Sequence, residues 1–388
     1  MRDGRLKILF IGPNPPPYSG PELGMQKFLQ SEILNEHYQI FFLKTNFRKQ
    51  NENKGRFGVR MISNFFLYFF RLTWKLVSTR AKCIYYPVTP TQIGWLGRDA
   101  WTILLARAFG RKVIIHLRGS HFRLNFRTFT PQVKKIVEQA LTKTDCALVQ
   151  ADYLRDQFSP YLLPEKINVL YQAIDISECI NTDINRYIKG KILIVGHLTK
   201  AKGYIDILRI IPDIVDVFPY VHFWFAGEIR RGERGVFYNQ YNGEKLVYED
   251  PFDAEQKILS SKYAAHYHNL GIISGDEKLN HFKSCDIFLS ASYSEGFSRS
   301  LLEAMAFGKP LVYTPVGAHR EVLTDGINGV KFEPGSLRQL KSAIEKLLLS
   351  RDFRNQIALK NYHEARDKYS QERIDLEFLT IINKVVSS

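Results

Sequence analysis

Residues Lys191 to Gly196 read KILIVG, a short apolar run that ends in glycine. Such a run is typical of a strand that is covered on both faces of a parallel sheet. A similar run, KILFIG, occupies residues 7–12 near the start of the chain. Each run is followed by apolar segments of strand length that alternate with segments of helical length. This alternation predicts two α/β halves, each of which begins with one of these strands.

The halves define a domain organisation. We expect an N-terminal domain at 1–185, a C-terminal domain at 186–370, a polar linker at 177–189 and a last helical segment at 371–388. The charged and aromatic stretch 228–268 interrupts the pattern and is interpreted as an inserted loop or a pair of helices. Further strands are predicted at 38–43, 83–87, 113–117, 146–150, 222–227, 286–290 and 310–314. Helices are predicted at 132–143, 205–217, 298–307, 337–350 and 371–386.

Composition excludes several classes of protein. The 388 residues contain 54 Lys and Arg and 39 Asp and Glu, a net charge of +15, and 45% are hydrophobic. A wholly disordered chain is excluded, and no run approaches the ~20 uncharged apolar residues of a spanning helix. The four cysteines form no CxxC pair, which favours a cytoplasmic location and indicates no zinc site. The charge predicts anionic partners, but no nucleic-acid-binding motif is present, so nucleic acid is not expected.

The stretch EGFSRSLLEAMAFGKP, residues 295–310, has polar residues suited to chemistry. Glu295 lies in the turn after a predicted strand, and Ser298 to Ser300 form the first turn of the next helix. Free N–H groups and the dipole at a helix N-terminus favour a phosphate group. Glu303 can accept two hydrogen bonds from a ribose diol. The alternative is a surface helix with an Arg299–Glu303 ion pair.

This stretch resembles the E-x7-E motif of retaining glycosyltransferases of family 4, which have the GT-B fold. Other segments resemble the family's segments in the same order. They are PPYSGP at 16–21, GHLTKAKG at 196–203, FAGE at 225–228, PVGAHREV at 315–322 and DGING at 325–329. The resemblance implies two Rossmann-like, doubly wound parallel-sheet domains facing a cleft. It also implies that helix 371–388 crosses back to the N-terminal domain.

The resemblance further implies a nucleotide-sugar donor site. Glu303 would hold the ribose, and Glu295 would contact the donor sugar as a catalytic residue. Lys202 would neutralise the diphosphate, so that no metal ion or other cofactor is expected. The remaining donor-binding residues would be Gly20, Gly296, Phe297, Ser298, Arg299 and Ser300.

His197 departs from the family pattern, which has an arginine beside the diphosphate. Because histidine is only partly charged near neutral pH, the clamp would be weaker or sensitive to pH. Lys200 and Arg299 are candidates to compensate for the lost charge. The alternative is that His197 merely ends a strand.

A second group of polar residues follows the strand predicted at 113–117. Strand alternation places His116 and Arg118 on one face, and we predict them as a catalytic pair that meets the donor sugar and phosphate. His121 and Arg123 are predicted on the acceptor side. The alternative for His116 is a core histidine whose hydrogen bonds are satisfied.

The segment Asn64 to Lys82 is aromatic over much of its length and basic toward its end. One interpretation is a helix in a membrane interface, with Arg71, Lys75, Arg80 and Lys82 over lipid phosphates. The other is a core helix packed on the first sheet. Further basic residues of the same half favour the first interpretation. They are Arg56, Arg60, Arg98, Arg107, Arg111 and Lys112.

Together these features predict a retaining, metal-independent glycosyltransferase of the hexosyltransferase type. It would move a sugar from a nucleotide-diphosphate donor to an acceptor hydroxyl in the synthesis of bacterial surface polysaccharide, including lipopolysaccharide, or of a lipid-linked glycan. The expected location is cytoplasmic, and peripheral contact with the inner face of the membrane is left open. Two rivals remain: a nucleotide-sugar epimerase or hydrolase on the same fold, and a non-catalytic module that binds anionic membrane.

Overall fold

A computed structural model describes residues 4–16, 20–45, 59–179, 183–184, 186–229 and 238–387. The chain divides into two compact units, Met1–Ala173 together with Gln371–Ser388, and Ile174–Ser370. Residues 17–19 of the predicted first loop and Arg56 of the predicted basic surface lie outside the described residues.

Each unit is built on a six-stranded sheet in which all neighbouring strands are parallel. The strands are β1 (Leu6–Gly12), β2 (Tyr38–Lys44), β3 (Cys83–Val88), β4 (Lys112–Leu117), β5 (Cys146–Val149), β6 (Ile167–Val169), β7 (Lys191–Val195), β8 (His222–Ala226), β9 (Tyr267–Gly271), β10 (Ile287–Ser290), β11 (Leu311–Tyr313) and β12 (Gly329–Lys331). The first sheet has the order β2-β1-β3-β4-β5-β6, and the second has the order β12-β11-β10-β7-β8-β9. The predicted class of two doubly wound, Rossmann-like parallel sheets is therefore confirmed.

Helices connect the strands in both units, as parallel pairing requires. They are α1 (Gly20–Gln30), α2 (Glu32–His37), α3 (Val59–Thr79), α4 (Gln92–Gly94), α5 (Ala100–Ala108), α6 (Phe122–Arg127), α7 (Pro131–Thr142), α8 (Tyr204–Val215), α9 (Phe252–Leu259), α10 (Gly275–Ser284), α11 (Arg299–Ala306), α12 (His319–Val322), α13 (Leu337–Leu349), α14 (Arg351–Tyr369) and α15 (Gln371–Ser387). A π-helical turn, Trp95–Asp99, joins α4 to α5. In its described part, the stretch 228–268 contains one α-helix, α9, and one short 3-10 helix, Ala264–His266.

The division between the units falls after Ala173, inside the range 1–185 that the sequence analysis assigned to the first domain. The described part of the predicted linker packs on the second unit. Arg366 Nη2 donates to Cys179 O at 2.9 Å, and Ile188 N donates to Ser284 O at the same distance. A polar composition therefore did not mark a free linker here.

The last helix completes the core of the first unit. The ring of Phe378 on α15 packs against Phe28 at 4.8 Å and against Tyr85 at 5.1 Å between centroids. The hydroxyl of Tyr38 on β2 donates to Asn383 Oδ1 at 2.6 Å. These contacts explain why residues 371–388 group with the first unit and not with the preceding helix.

Histidines cluster where β8 and β9 meet at the edge of the second sheet. Nδ1 of His222 lies 3.0 Å from Nε2 of His268, and the ring of His266 stacks on His222 with centroids 4.8 Å apart. Burial lowers the pKa of His222, and His266 lowers it further. Burial also lowers the pKa of His268. The folded chain therefore resists protonation of both imidazoles.

Lowering the pH from about 7 to about 5 is therefore expected to destabilise the second unit. An unfolded imidazole, with a pKa of about 6.5, binds protons that the cluster excludes. The stability contributed by the neutral cluster is present above the unfolded pKa and is lost as pH falls from there toward the folded pKa values. Thermal melting at both pH values should show a drop about 2–4 °C smaller in His222→Gln/His268→Gln than in wild type. The control His37→Gln, at an exposed histidine of the first unit, should follow wild type, and equal drops in all three proteins would contradict the account.

Candidate functional site

The order of the second sheet identifies its switch point, where β7 and β10 lie side by side although their connections diverge. In doubly wound sheets, ligands bind beyond the carboxyl ends of the two strands at this point. The segments that follow these strands are 196–203 and 291–298. They touch directly, because Tyr293 N donates to Ala201 O at 2.9 Å. Gly203, at φ +72°, packs so closely that a Cβ there would overlap the carbonyl oxygen of Ala291.

A lysine and a glutamate from these segments form a partly buried ion pair. Nζ of Lys202 donates to Oε1 of Glu295, and Ser292 Oγ donates to the same oxygen at 2.8 Å. Only 11% of the Glu295 side chain is exposed, against 34% of Lys202. Burial alone would raise the pKa of Glu295, but the charge of Lys202 and the hydrogen bonds from Lys202 and Ser292 lower it overall. The site therefore holds an ionised carboxylate against an ammonium group.

His319 is a fully buried neighbour of this pair that the sequence analysis did not single out. Its Nδ1 lies 3.2 Å from the carbonyl oxygen of Thr314, which can only accept, so Nδ1 carries the proton. Burial lowers the pKa of His319, although the charge of Glu295 opposes the shift. The ring is then neutral, and its Nε2 is an acceptor without a hydrogen-bond partner among the described residues.

Helix α11 begins beside the same pair. Ser298 caps it by accepting a hydrogen bond from Leu301 N, and Ser300 Oγ donates to Val195 O at the end of β7, 3.1 Å away. The helix N-terminus is thereby fixed at the switch point. The positive end of its dipole favours an anion, and Glu295, which binds Lys202, lies four residues before the helix.

Glu303, one turn into α11, is held by a residue that the sequence analysis missed. Nζ of Lys278 on α10 lies 2.8 Å from Oε1 and 2.7 Å from Oε2 of Glu303. Local spacing suggested a surface pair with Arg299, and the structure shows this contact between two helices. Arg299 itself is half-buried in the first turn of α11.

The turn at Glu295 is braced from two distant segments. Gln240 accepts from Glu295 N at 3.0 Å and donates to Glu295 O at 3.2 Å. Ala318 N donates to Gly296 O at 2.8 Å. Gly317, at φ +54°, lies so close that a Cβ would overlap the carbonyl oxygens of Glu295 and Gly296. Phe297, which follows Gly296 in the chain, is buried against Tyr369, with ring centroids 5.4 Å apart.

His197 and Lys200 lie near other carboxylates than the one that binds Lys202. His197 is 42% exposed, and its Nδ1 lies 3.9 Å from Glu228 Oε2. Nζ of Lys200 lies 3.2 Å from Asp206 Oδ1 and 3.3 Å from Glu249 Oε2. Because two carboxylates already neutralise Lys200, it is not a spare cation that replaces the charge missing at His197.

In the first unit, His116 and Arg118 converge on one hydroxyl group. His116 Nδ1 lies 2.8 Å from Tyr85 Oη, and Arg118 Nη2 donates to the same oxygen at 3.3 Å. The hydroxyl proton is then free for His116 Nδ1. Burial, followed by the charge of Arg118, lowers the pKa of His116 well below its usual range, so the ring is neutral with its proton on Nε2. That buried N–H has no hydrogen-bond partner among the described residues.

The other predicted residues of the first unit are spread over several elements. Gly20 is the first residue of α1, and Gly24 on the same helix makes room for the Arg118 guanidinium. His121 precedes α6, where burial lowers its pKa to about 4. Arg123 Nη1 donates to Asp156 Oδ2 at 3.2 Å on the surface. Arg123 is thus in an exposed ion pair, whereas His116 and Arg118 form a local cluster.

Comparison with known proteins identifies the fold. The solved structure of HepE (Alr3699) from Anabaena in complex with UDP-glucose resembles this chain with a TM-score of 0.69 at 16% identity, over 98% of this chain and 100% of that one. The chain has the GT-B fold that this likeness and the two sheets define. Residues 186–364, which contain the Lys202 pair, match the family model described as Glycosyl transferases group 1.

Curated relatives agree with the family model. The glycosyltransferase MJ1069 of Methanocaldococcus jannaschii, itself described as uncharacterized, is 22% identical over an alignment of 417 positions that covers 98% of each chain. The N,N'-diacetylbacillosaminyl-diphospho-undecaprenol alpha-1,3-N-acetylgalactosaminyltransferase of Campylobacter jejuni is 31% identical over 140 residues, 36% of each chain. These matches support a glycosyltransferase of the group 1 type.

Proposed function

We propose that the chain transfers a sugar from a nucleoside-diphosphate sugar to an acceptor hydroxyl, and that the second unit binds the donor. The observation that carries this proposal is the Lys202–Glu295 pair beside the N-terminus of α11. A leaving diphosphate needs positive charge that is already in place when the bond to the sugar breaks. The ammonium group of Lys202 and the positive end of the α11 dipole supply it, so the proposed reaction needs no metal ion.

Glu295 and Glu303 have separate roles in this proposal. The lowered pKa of Glu295 keeps its carboxylate ionised, so that it accepts hydrogen bonds from hydroxyl groups of the donor sugar. Glu303 accepts from the two ribose hydroxyl groups while Lys278 holds its carboxylate in place. Retention of anomeric configuration is proposed from the resemblance of 295–310 to the E-x7-E motif.

His116 and Arg118 are proposed to contact substrate in the first unit. The neutral imidazole offers Nε2–H as a buried donor, and the guanidinium offers positive charge beside it. The proposed acceptor is a polysaccharide or lipid-linked glycan. The Campylobacter relative supports a lipid-linked acceptor, because its name describes a diphospho-undecaprenol acceptor.

A transfer assay tests this proposal. A thermal-shift screen with UDP-, GDP-, ADP- and CMP-sugars first identifies the donor, because a ligand of the folded state raises the melting temperature. That donor is then incubated with synthetic lipid-diphosphate sugars, and products are identified by mass spectrometry. We expect an acceptor one sugar heavier, with the donor's anomeric configuration by NMR. Donor consumption without any glycosylated product would favour the hydrolase or epimerase alternative, and inverted configuration would refute retention.

A further inference from the structure

Helix α3 of the first unit carries an exposed apolar stripe. Phe66, Phe70, Trp74 and Val77 are 67%, 70%, 65% and 52% exposed. Their spacing of three or four residues places them on one side of the helix. Single exposed apolar side chains are ordinary, but a continuous stripe of large ones indicates an interaction surface.

The opposite side of α3 fixes the helix to the first unit. Tyr68, Leu72 and Leu76 are buried, and the hydroxyl of Tyr68 lies 2.8 Å from Thr102 Oγ1 on α5. Arg111 Nη2 donates to Leu76 O at 3.1 Å. Packing against the unit therefore uses the Tyr68 side and leaves the Phe70 side unused. The Tyr68 side agrees with the interpretation of a core helix, and the membrane interpretation concerns the Phe70 side alone.

The segment before α5, a helix that packs on the buried side of α3, also has exposed apolar side chains. Trp101 is 39% exposed, at the start of α5, and its Nε1 donates to Leu96 O at 2.7 Å. Leu96 and Ile93, in the turns before α5, are also exposed. We call the four side chains of the stripe, Phe66, Phe70, Trp74 and Val77, the α3 face.

Almost all of the chain's net charge belongs to the unit with this face. The first unit has 28 Lys and Arg against 14 Asp and Glu, a net charge of +14, and the second has 26 against 25, a net charge of +1. Lys75 lies on α3, and Lys82 follows the helix at an exposed position. Among the described residues, no helix is both long and apolar enough to cross a bilayer.

We propose that the α3 face inserts into the interface of a bilayer that contains anionic lipids. Aromatic and aliphatic side chains enter the boundary between headgroups and acyl chains, and the net positive charge of the first unit attracts lipid phosphates. A second copy of this chain is a poorer occupant, because it would bring another unit of charge +14 against the first. The proposal concerns where the first unit binds and does not depend on the reaction.

Vesicle co-sedimentation tests the proposal. Wild type is compared on vesicles of phosphatidylcholine alone and of phosphatidylcholine mixed with phosphatidylglycerol. We expect binding to the mixed vesicles, and the double variant Phe70→Ser/Trp74→Ser should lower the partition coefficient about tenfold or more. The matched control Ile272→Ser/Leu349→Ser removes two exposed apolar side chains from the second unit and should bind as wild type does. Lys75→Gln/Lys82→Gln should bind more weakly and with a smaller dependence on salt.

Three results would overturn the proposal: no binding of wild type to mixed vesicles, equal binding of wild type and Phe70→Ser/Trp74→Ser, or a dimer in sedimentation that only this variant loses. The last result would assign the α3 face to self-association. Nucleotide-induced thermal shifts measured on the same variant show that it is folded. They also separate failure of this proposal from failure of the proposed function, because donor binding belongs to the other unit.

Discussion

Replacing Lys202 with methionine is expected to lower kcat for sugar transfer about 10²–10³-fold, the range found when one preorganised stabilising group is removed from a reaction centre. Methionine keeps an unbranched side chain of similar reach but removes the charge. The leaving diphosphate then loses its nearest ammonium group, and Glu295 is left as a buried carboxylate without its cation. Initial rates at saturating donor measure the effect, and a melting curve shows whether the variant is folded.

The neighbouring lysine is the control for this prediction. Lys200 lies in the same short turn, Lys200–Lys202, but its ammonium group pairs with Asp206 and Glu249. Lys200→Met should therefore lower the melting temperature while changing kcat only a few-fold. Equal losses of kcat in the two variants, or a Lys202→Met enzyme as active as wild type, would remove the role assigned to Lys202.

Gly317→Ala is expected to disrupt the donor site through the backbone. An alanine at φ +54° costs about 1–2 kcal/mol for the left-handed conformation alone. Its Cβ would also overlap the carbonyl oxygens of Glu295 and Gly296, so the two loops must separate and the bond from Ala318 N to Gly296 O is lost. We expect donor affinity to fall about tenfold or more, because groups held by these loops lose their positions.

Gly326 provides the matched control. It has φ +76°, but no atom lies within 4 Å of the position that its Cβ would take. Gly326→Ala should cost only the conformational strain, leaving donor affinity unchanged and the free energy of unfolding at least about 1 kcal/mol above that of Gly317→Ala. Similar losses in both variants, measured by urea unfolding and calorimetry, would show that the close approach to Glu295 is unimportant.

The sequence predicted the fully buried strands well, because continuous apolar runs such as 191–196 have few other interpretations. It missed β6, β9 and β12, which are only partly buried and have no continuous apolar run of their own. Positions that depend on a local signal, such as Ser298 at the start of α11, were also predictable. The cap, the helix and the following glycine all lie within one short stretch.

The missed site residues are distant in sequence from the groups they hold. Gln240 is 55 residues from Glu295, and Lys278 is 25 residues from Glu303. Only the fold brings these pairs together, so no local spacing indicates them. His319 lies within the segment 315–322, but its burial beside Glu295 depends on how the loop at Glu295 meets the loop at Gly317. The sequence left α3 open between a core helix and a helix in a membrane interface for a different reason. A helix with two apolar sides, one buried and one exposed, has the same composition as a wholly buried helix.

Isothermal titration calorimetry with UDP, GDP and ADP tests the central claim most directly. The claim is that the second unit binds a nucleotide through α11, Lys202 and Glu303. The account predicts that one of the three binds wild type and loses about tenfold or more in affinity with Glu303→Ala, since the two ribose hydrogen bonds are removed. The control Glu277→Ala removes an exposed carboxylate next to Lys278 and should bind as wild type does. No binding by wild type, or equal binding by wild type and Glu303→Ala, would contradict the account.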